Sequence, residues 1–232
     1  MAVAKFWFPI EVRSSPACGN YFMLKTKIAG AMLYLLAMLA YADAGVNPAV
    51  VTLRDLLRPV QSMRANFQQQ LYSADNYLVQ DSRGSMQIAT PGKLRWLMNT
   101  PMEQWVISDG ETLWLYDPDL EQVIIRPFSA DVAATPALLL AGSVEELADN
   151  YQVSTQSLGK DQTFTLKPSK GQTLYDYLTF DFNGTMPVGI TIVDALGQRT
   201  VITFTDIVLN EHIDPALFSF QVPPGIDIIR DD

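Results

Sequence analysis

The sequence has few of the side chains on which most enzymatic and metal chemistry depends. Its 232 residues include one cysteine, Cys18, and one histidine, His212. Without further histidine or cysteine partners there is no zinc site and no Cys-His or Ser-His-Asp arrangement. His212 is interpreted as a solvated loop residue beside a one-turn helix with Asp214 at its N-cap and Pro215 at its first position. We therefore expect no enzymatic activity, no metal site and no cofactor.

Basic residues are also scarce. Lysine and arginine number 16 against 25 aspartates and glutamates, a formal net charge of −9. Residues 1–44 hold four of the basic and two of the acidic residues, so twelve basic and twenty-three acidic residues remain beyond them, a formal net charge of −11. Such a chain repels phosphate backbones and anionic lipid surfaces. We expect no nucleic-acid binding and no stable membrane insertion.

Two acidic patterns have an ordinary explanation. Asp117, Asp119 and Glu121 alternate through a turn and faintly suggest a calcium site. The glycine and the distal glutamate of an EF-hand loop are missing, so a turn is the better interpretation. Asp109-Gly110 is typical of a hairpin turn rather than of a phosphate-binding loop.

The N-terminal apolar run is short for a membrane-spanning helix. Ile28–Ala40 follows Lys25-Thr26-Lys27 and precedes Ala42-Asp43-Ala44, the pattern of a secretory signal peptide cleaved before Gly45. Because Met23 stands just before the basic residues, residues 1–22 are interpreted as an upstream start-site artefact and residues 23–44 as the signal peptide. Residues 45–232 are then one domain. No cysteine follows the cleavage site, so the chain itself is not expected to be lipid-anchored.

Two apolar segments predict helices. In the first, Thr52 is a candidate N-cap, Pro59 must kink or split the helix, and the apolar residues recur at helical spacing: Leu53, Leu56, Leu57, Val60 and Met63. The second, Ala134–Asn150, has Pro136 at a first helical position and contains Leu138, Leu139 and Leu140.

The rest of the chain is mostly strand. About eleven strand segments are separated by short turn signals such as Asp109-Gly110, Asn183-Gly184 and Leu196-Gly197. Tight connections favour antiparallel neighbours, because parallel pairing needs long crossovers. A large sheet of this kind curls, and helices with apolar stripes can cover its mouth. We therefore predict a mainly β fold, an incomplete, half-open antiparallel barrel closed by a lid of short α-helices.

Side-chain alternation assigns faces in one strand but not in another. In KLRWLM, Leu94, Trp96 and Met98 share a face that we place inside the curve. In TLWLYD, Leu113 and Leu115 on one face and Trp114 and Tyr116 on the other are all large, so either pair could point inward. An ordinary packed core and a lidded hollow barrel have the same alternation.

The order and spacing of several segments resemble the periplasmic outer-membrane lipoprotein carriers of the LolA family. The resemblance covers essentially all of residues 45–232, and its most telling segments are PGKLRW, ISDGETLWLYDPDLEQV, TPALLL and FSFQVPPG. None of them is a catalytic motif. The resemblance implies a barrel with an apolar cavity that binds the acyl chains of lipoproteins in the periplasm.

The resemblance also implies residue roles and partners. The cavity would be lined by aromatic and apolar side chains: Phe67, Leu94, Trp96, Met98, Trp105, Trp114 and Tyr116. Met63, Met86, Met98 and Met102, if they point inward, would let it adapt to flexible tails. The leucines of both helical segments, with Val60 and Met63, would form the lid. Cargo would pass from an inner-membrane ABC transporter to an outer-membrane receptor, and the carrier would be a monomer. The alternative is an envelope sensor or assembly module that binds lipoproteins or envelope proteins without transporting them.

One position departs from the family pattern. In the family, the residue before the proline of the PGKLRW segment is usually an arginine. The resemblance implies that this arginine holds the lid by hydrogen bonds to helix carbonyls. Here that position is Thr90, followed by Pro91. Threonine offers one short donor where arginine offers five. Lys93 and Arg95 cannot simply substitute, because alternation places them opposite Trp96 unless Gly92 resets the phase. Either the lid is latched differently or more loosely, or this is a divergent carrier with a different hand-off.

Overall fold

The computed structural model describes residues 47–128, 150–169 and 175–230. These residues all belong to Val46–Asp232, one of the two compact units into which the chain divides. The predicted second helix, Ala134–Asn150, lies outside the described residues except for its last position.

One sheet of twelve strands forms the fold. In chain order, the strands β1 to β12 are Ser62–Tyr72, Leu78–Ala89, Lys93–Thr100, Gln104–Asp109, Thr112–Asp117, Gln122–Pro127, Tyr151–Leu158, Asp161–Pro168, Tyr175–Asn183, Met186–Asp194, Arg199–Leu209 and Asp227–Arg230. A short 3-10 helix, Pro215–Phe218, precedes β12. Its Asp214 cap confirms the predicted one-turn helix, because the Asp214 carboxylate accepts a hydrogen bond from the Ala216 amide at 2.9 Å.

The strand order shows an open sheet with two edges. The order is β12-β6-β5-β4-β3-β2-β1-β11-β10-β9-β8-β7, so β12 and β7 lie at opposite ends and the barrel is not closed. The half-open, mainly β architecture is therefore confirmed. The eleven predicted strands all form, and their pairings are antiparallel. The exception is β12, a twelfth strand that pairs parallel with β6.

The first helix is shorter than its apolar pattern predicts. Helix α1 spans Pro48–Leu57, and its N-cap is Asn47 rather than Thr52. Thr52 lies inside the helix, where its hydroxyl donates to the Pro48 carbonyl. The helix ends before Pro59, whose ring cannot continue the hydrogen-bonding pattern. Met63 therefore lies in β1, and its predicted place in the helix is wrong.

The largest buried hydrophobic cluster lies on one face of the sheet, which we call the inner face. Its buried side chains come from α1, from strands β1–β5 and from strands β7–β11, and they form one contiguous cluster. A single sheet can bring so many strands into one cluster only by curling over itself. We call the opposite side the outer face. No helix among the described residues is long and apolar enough to cross a membrane.

Candidate functional site

Strand β3 provides the centre of the inner face. Leu94, Trp96 and Met98 are buried, with 0%, 6% and 8% of their surface exposed, and they alternate with more exposed neighbours. All three belong to the core cluster. The predicted inward orientation of these side chains is confirmed. Leu113 and Leu115 of β5 also face the core, which resolves the ambiguity of that strand.

An aromatic stack joins β1 and β3 across the inner face. The rings of Phe67 and Trp96 lie parallel to within 22°, with their centroids 3.7 Å apart. Strand β2 runs between these strands, and Gly84 is the residue paired with Phe67. A Cβ atom at Gly84 would stand 2.7 Å from the Phe67 ring and 1.9 Å from the Leu97 carbonyl oxygen. The absence of a side chain at this position makes room for the stack.

Three methionines surround this region. Met63, Met86 and Met98 are all buried in the inner cluster. Their unbranched, polarisable side chains adapt to irregular apolar shapes. Met102 is different, because it lies in the turn after β3 with 58% of its surface exposed. Met102 therefore does not meet the condition of pointing inward that the other three methionines meet.

Helix α1 covers part of the inner face. Leu53 and Leu57 are buried in the core cluster, and Leu56 packs against it. Val60, between the helix and β1, is also buried there. Helix α1 thus lies against the inner face, whereas Val60, predicted inside the helix, follows its end at Leu57. Leu138, Leu139 and Leu140 lie outside the described residues.

A single asparagine attaches α1 to the edge of the sheet. The Asn47 side-chain oxygen accepts a hydrogen bond from the Ala49 amide at 2.9 Å, which caps the helix. Its side-chain nitrogen donates to the Val153 carbonyl of the edge strand β7 at 2.7 Å. The cap therefore also satisfies one of the outward carbonyls that an edge strand leaves unpaired. This role of Asn47 was not predicted from the sequence, although asparagine before a proline is a recognised start of a helix.

The predicted latch position contacts the segment after α1 rather than the helix. The Thr90 amide and hydroxyl both donate to the Gln61 carbonyl oxygen, at 2.9 Å and 3.3 Å. Gln61 stands between α1 and β1. Arg95 points away from the inner face, and its guanidinium donates to the Leu217 carbonyl at 3.1 Å. Arg95 thus lies on the face opposite Trp96, as the alternation predicted.

Three predicted cavity residues lie on the outer face. In the paired register Trp105 stands opposite Leu97 and Tyr116, whereas Trp96 stands opposite Val106. Trp114 shares the face of Tyr116, because the two are separated by one residue of β5. Directly paired residues point to the same side of a sheet. The prediction that Trp105, Trp114 and Tyr116 line the same cavity as Trp96 is therefore wrong.

The C-terminal segment packs against these outer rings. Phe220 meets Trp105 and Tyr116 with ring centroids 6.2 Å and 5.1 Å apart, and Phe218 is buried. The Arg95 guanidinium lies 5.7 Å from the centre of the Trp105 ring. Burial lowers the pKa of Arg95 from its ordinary value, but an arginine remains charged at neutral pH. The outer rings thus pack against the segment around Phe220.

The polar groups of the described residues form no reactive cluster. No group of three histidine, cysteine or acidic side chains among them could hold a metal ion. Asp117 accepts a hydrogen bond from the Leu120 amide at 3.2 Å, which fits the predicted turn. His212 is exposed in an irregular segment.

Comparisons with known proteins show which family the chain resembles. The family model "Outer membrane lipoprotein carrier protein LolA" matches residues 58–221. An outer-membrane lipoprotein carrier protein of Chromohalobacter salexigens is 42% identical over 176 residues, covering 76% of this chain and 84% of the relative. One from Pseudomonas aeruginosa is 38% identical over 201 residues, covering 87% and 96%. A LolA-superfamily crystal structure from Nitrosomonas europaea is similar with a TM-score of 0.45 at 15% identity, covering 72% of this chain and 97% of that one.

The fold and the inner face define a class of protein, an open single-sheet protein whose apolar face lies under a helix. The chain belongs to the LolA family of outer membrane lipoprotein carrier proteins.

Proposed function

We propose that this protein is a periplasmic carrier that binds the acyl chains of outer-membrane lipoproteins. The observation that carries the proposal is the continuous apolar cluster on the inner face, partly covered by a helix, in a chain of this family. The carrier would take its cargo from an inner-membrane ABC transporter and deliver it to an outer-membrane receptor. It catalyses no reaction.

Acyl chains need an apolar surface of this kind. Each buried methylene contributes about 0.8 kcal/mol, so a chain of about sixteen carbons contributes on the order of 12 kcal/mol. A lipoprotein with several chains cannot cross an aqueous compartment unaided at a useful rate. Phe67, Leu94, Trp96 and Met98 would supply the central part of the binding surface.

Among the described residues, helix α1 packs directly against the inner face. Leu53 and Leu57 of α1 are buried within the cluster, and the Phe67 and Trp96 rings contact each other. A carrier benefits from a closed resting state, because a large exposed apolar patch promotes aggregation. Cargo entry would therefore require α1 to move away and the ring stack to separate.

The proposal is tested by placing a charge on the inner face. Trp96→Glu should fold but lose binding of a triacylated lipopeptide, because burying an unpaired carboxylate among acyl chains is costly. Trp114→Glu is the matched control, since it makes the same change on the outer face of β5. Binding is measured by isothermal titration, with circular dichroism reporting folding.

If Trp96→Glu, Trp114→Glu and the unmodified protein bound the lipopeptide equally well, the assignment of the inner face would be contradicted. If Trp96→Glu does not fold, Met98→Gln makes a milder polar change on the same face, and undiminished lipopeptide binding by that variant would also count against the proposal.

A further inference from the structure

Strand β7 forms one edge of the sheet. It stands last in the strand order, and among the described strands it pairs only with β8. Its register with β8 continues over eight consecutive residue pairs without a bulge. The far side of such a strand presents a row of backbone N–H and C=O groups with which a further strand can pair. An edge of this length and regularity therefore needs either protection or a partner.

Two hydrogen bonds show which backbone groups of β7 point outward. The Ser169 amide donates to the Asn150 carbonyl at 2.8 Å, so Asn150 directs its backbone groups toward β8. Because this direction alternates along a strand, the odd-numbered residues of β7 direct theirs away from β8. The contact of Asn47 agrees with this assignment, since its side chain reaches the Val153 carbonyl from the start of α1 at 2.7 Å.

The outward groups that follow Val153 are unprotected. Thr155 and Ser157 are exposed, and no hydrogen bond joins their outward backbone groups to another residue that the structure describes. Proline and charged side chains usually protect an edge strand, but Tyr151–Leu158 contains neither. The opposite edge is different, because β12 has only four residues and carries a charge at each end. One edge is thus protected, while the other can accept a further strand.

The unprotected edge continues the inner face. The Val153 side chain is buried in the inner cluster, with 4% of its surface exposed. Thr155 and Ser157 lie on the same face of β7, because side chains alternate along a strand. The Val153 carbonyl accepts a hydrogen bond from the residue that caps α1, the helix that packs against the inner face. The free part of the edge therefore begins where α1 ends its contact with β7.

The chemistry of the edge indicates the kind of partner. An extended polypeptide presents N–H and C=O groups at the spacing of a strand, about 3.3 Å per residue. Pairing through the backbone gives affinity, and specificity would require side-chain pockets. Residues Ser154–Ser157 are uncharged and exposed, so pairing here would depend little on the sequence of the partner. A second copy of this chain also offers a strand, but a formal net charge of −9 on each copy opposes association.

From these observations we infer that the edge Val153–Ser157 pairs with an extended segment of the polypeptide to which the bound acyl chains are attached. The inference rests on the proposed function, because acyl chains on the inner face would hold that polypeptide beside the edge and raise its local concentration. The segment adds one strand to the sheet through its backbone. Cargo polypeptides of different sequence can then bind in the same way.

The inference is tested by comparing two lipopeptides that share the same three acyl chains. One carries an uncharged peptide long enough to span Val153–Ser157, and the other ends directly after the acylated residue. The long lipopeptide should bind the unmodified protein about tenfold more tightly in isothermal titration, because its backbone forms additional hydrogen bonds. Equal affinity for the two lipopeptides would overturn the inference.

Methylation of backbone nitrogens separates strand pairing from other contacts of the peptide. Two further versions of the long lipopeptide carry N-methyl groups at alternate residues, one at the odd-numbered and one at the even-numbered positions. The N–H groups of a strand alternate in direction, so only one version should lose the tenfold gain in affinity. The inference is overturned if both versions bind equally.

Thr155→Pro makes the corresponding change in the protein. It removes an outward N–H and leaves the pairing with β8 intact, as a proline in an edge strand can. The variant should bind the long lipopeptide only as tightly as the short one, and its affinity for the short one should not change. If this variant does not fold, as judged by circular dichroism, the methylated lipopeptides still decide the question with the unmodified protein.

The matched control is Ile228→Pro in the opposite edge strand β12. The Asp227 amide donates to the Glu121 carbonyl beside β6, so the N–H of the next residue points away from the sheet. Ile228→Pro therefore also removes an outward N–H, and it should leave both affinities unchanged. Equal losses of affinity for the long lipopeptide in Ile228→Pro and Thr155→Pro would overturn the inference.

The outcome can be distinguished from failure of the proposed function. If neither lipopeptide bound, both the proposed function and this inference would be overturned. If both bound with the same affinity, acyl binding would stand and only the inference would fail. Sedimentation of the unmodified protein without lipopeptide tests the other occupant. A dimer that Thr155→Pro dissociates would assign the edge to a second copy of the chain and overturn the inference.

Discussion

At the scale of single residues, the inner face depends on one missing side chain. Gly84 lies beneath the Phe67 ring, between the strands that carry Phe67 and Trp96. Its backbone conformation does not require glycine, since its φ is not in the left-handed region. The requirement is space, because the Leu97 carbonyl oxygen and the Phe67 ring lie where a Cβ would project.

Gly84→Ala should therefore destabilise the protein by about 1–3 kcal/mol, through overpacking against Phe67 and the Leu97 carbonyl. The measurement is urea unfolding followed by tryptophan fluorescence. Gly159→Ala is the control, because no atom lies within 4 Å of its added Cβ. Its φ of +64° is unfavourable for alanine, so this variant measures backbone strain without a steric clash. A smaller loss for Gly84→Ala than for Gly159→Ala would contradict the steric explanation.

Residue-level alternation predicted the inner face of β3 but not that of β5. In β3 one face is apolar and the other mostly polar, so the pattern decides the orientation. In β5 both faces carry large side chains, because the inner face meets the core and the outer face meets the C-terminal segment. Contact between Phe220 and Tyr116 joins residues far apart in the chain, and no local pattern reveals it.

At the scale of elements, α1 is attached by its cap rather than by residue 90. Asn47 joins the start of the helix to the edge strand β7, whereas Thr90 contacts the linker that follows the helix. The apolar pattern predicts too long a helix, because Met63, an inward residue of β1, continues the helical spacing of the leucines. Pro59 is the sequence signal that marks the true end of the helix. β12 escaped prediction because four exposed residues show no alternation.

Asn47→Asp separates the two roles of this residue. Aspartate keeps the oxygen that caps the helix but loses the nitrogen that donates to the Val153 carbonyl. The change should weaken the docking of α1 by about 1–2 kcal/mol, since it removes a hydrogen bond and leaves two oxygens facing each other. Lipopeptide should then associate faster, as measured by stopped-flow fluorescence.

The control is Thr52→Ala, which alters an exposed hydrogen bond within α1 and leaves its attachment intact. Association should keep its original rate in that variant. If Asn47→Asp and Thr52→Ala took up lipopeptide at the same rate, movement of α1 away from β7 would not limit cargo entry.

At the scale of the whole molecule, the two faces of one sheet have different tasks. The inner face keeps apolar side chains under a helix, while the outer rings hold the C-terminal segment. The antiparallel, half-open architecture could be predicted from short turns between strands. The division of aromatic residues between the two faces could not be predicted, because it depends on the register between neighbouring strands.

The most direct test of the account is to locate the acyl chains on the sheet. A triacylated lipopeptide with a photoreactive diazirine near the end of one acyl chain is bound and irradiated, and the attached residues are identified by mass spectrometry. The account predicts attachment to Phe67, Trp96 and Met98 on the inner face. Attachment to Trp105, Trp114 or Tyr116 on the outer face, with none on the inner face, would contradict it.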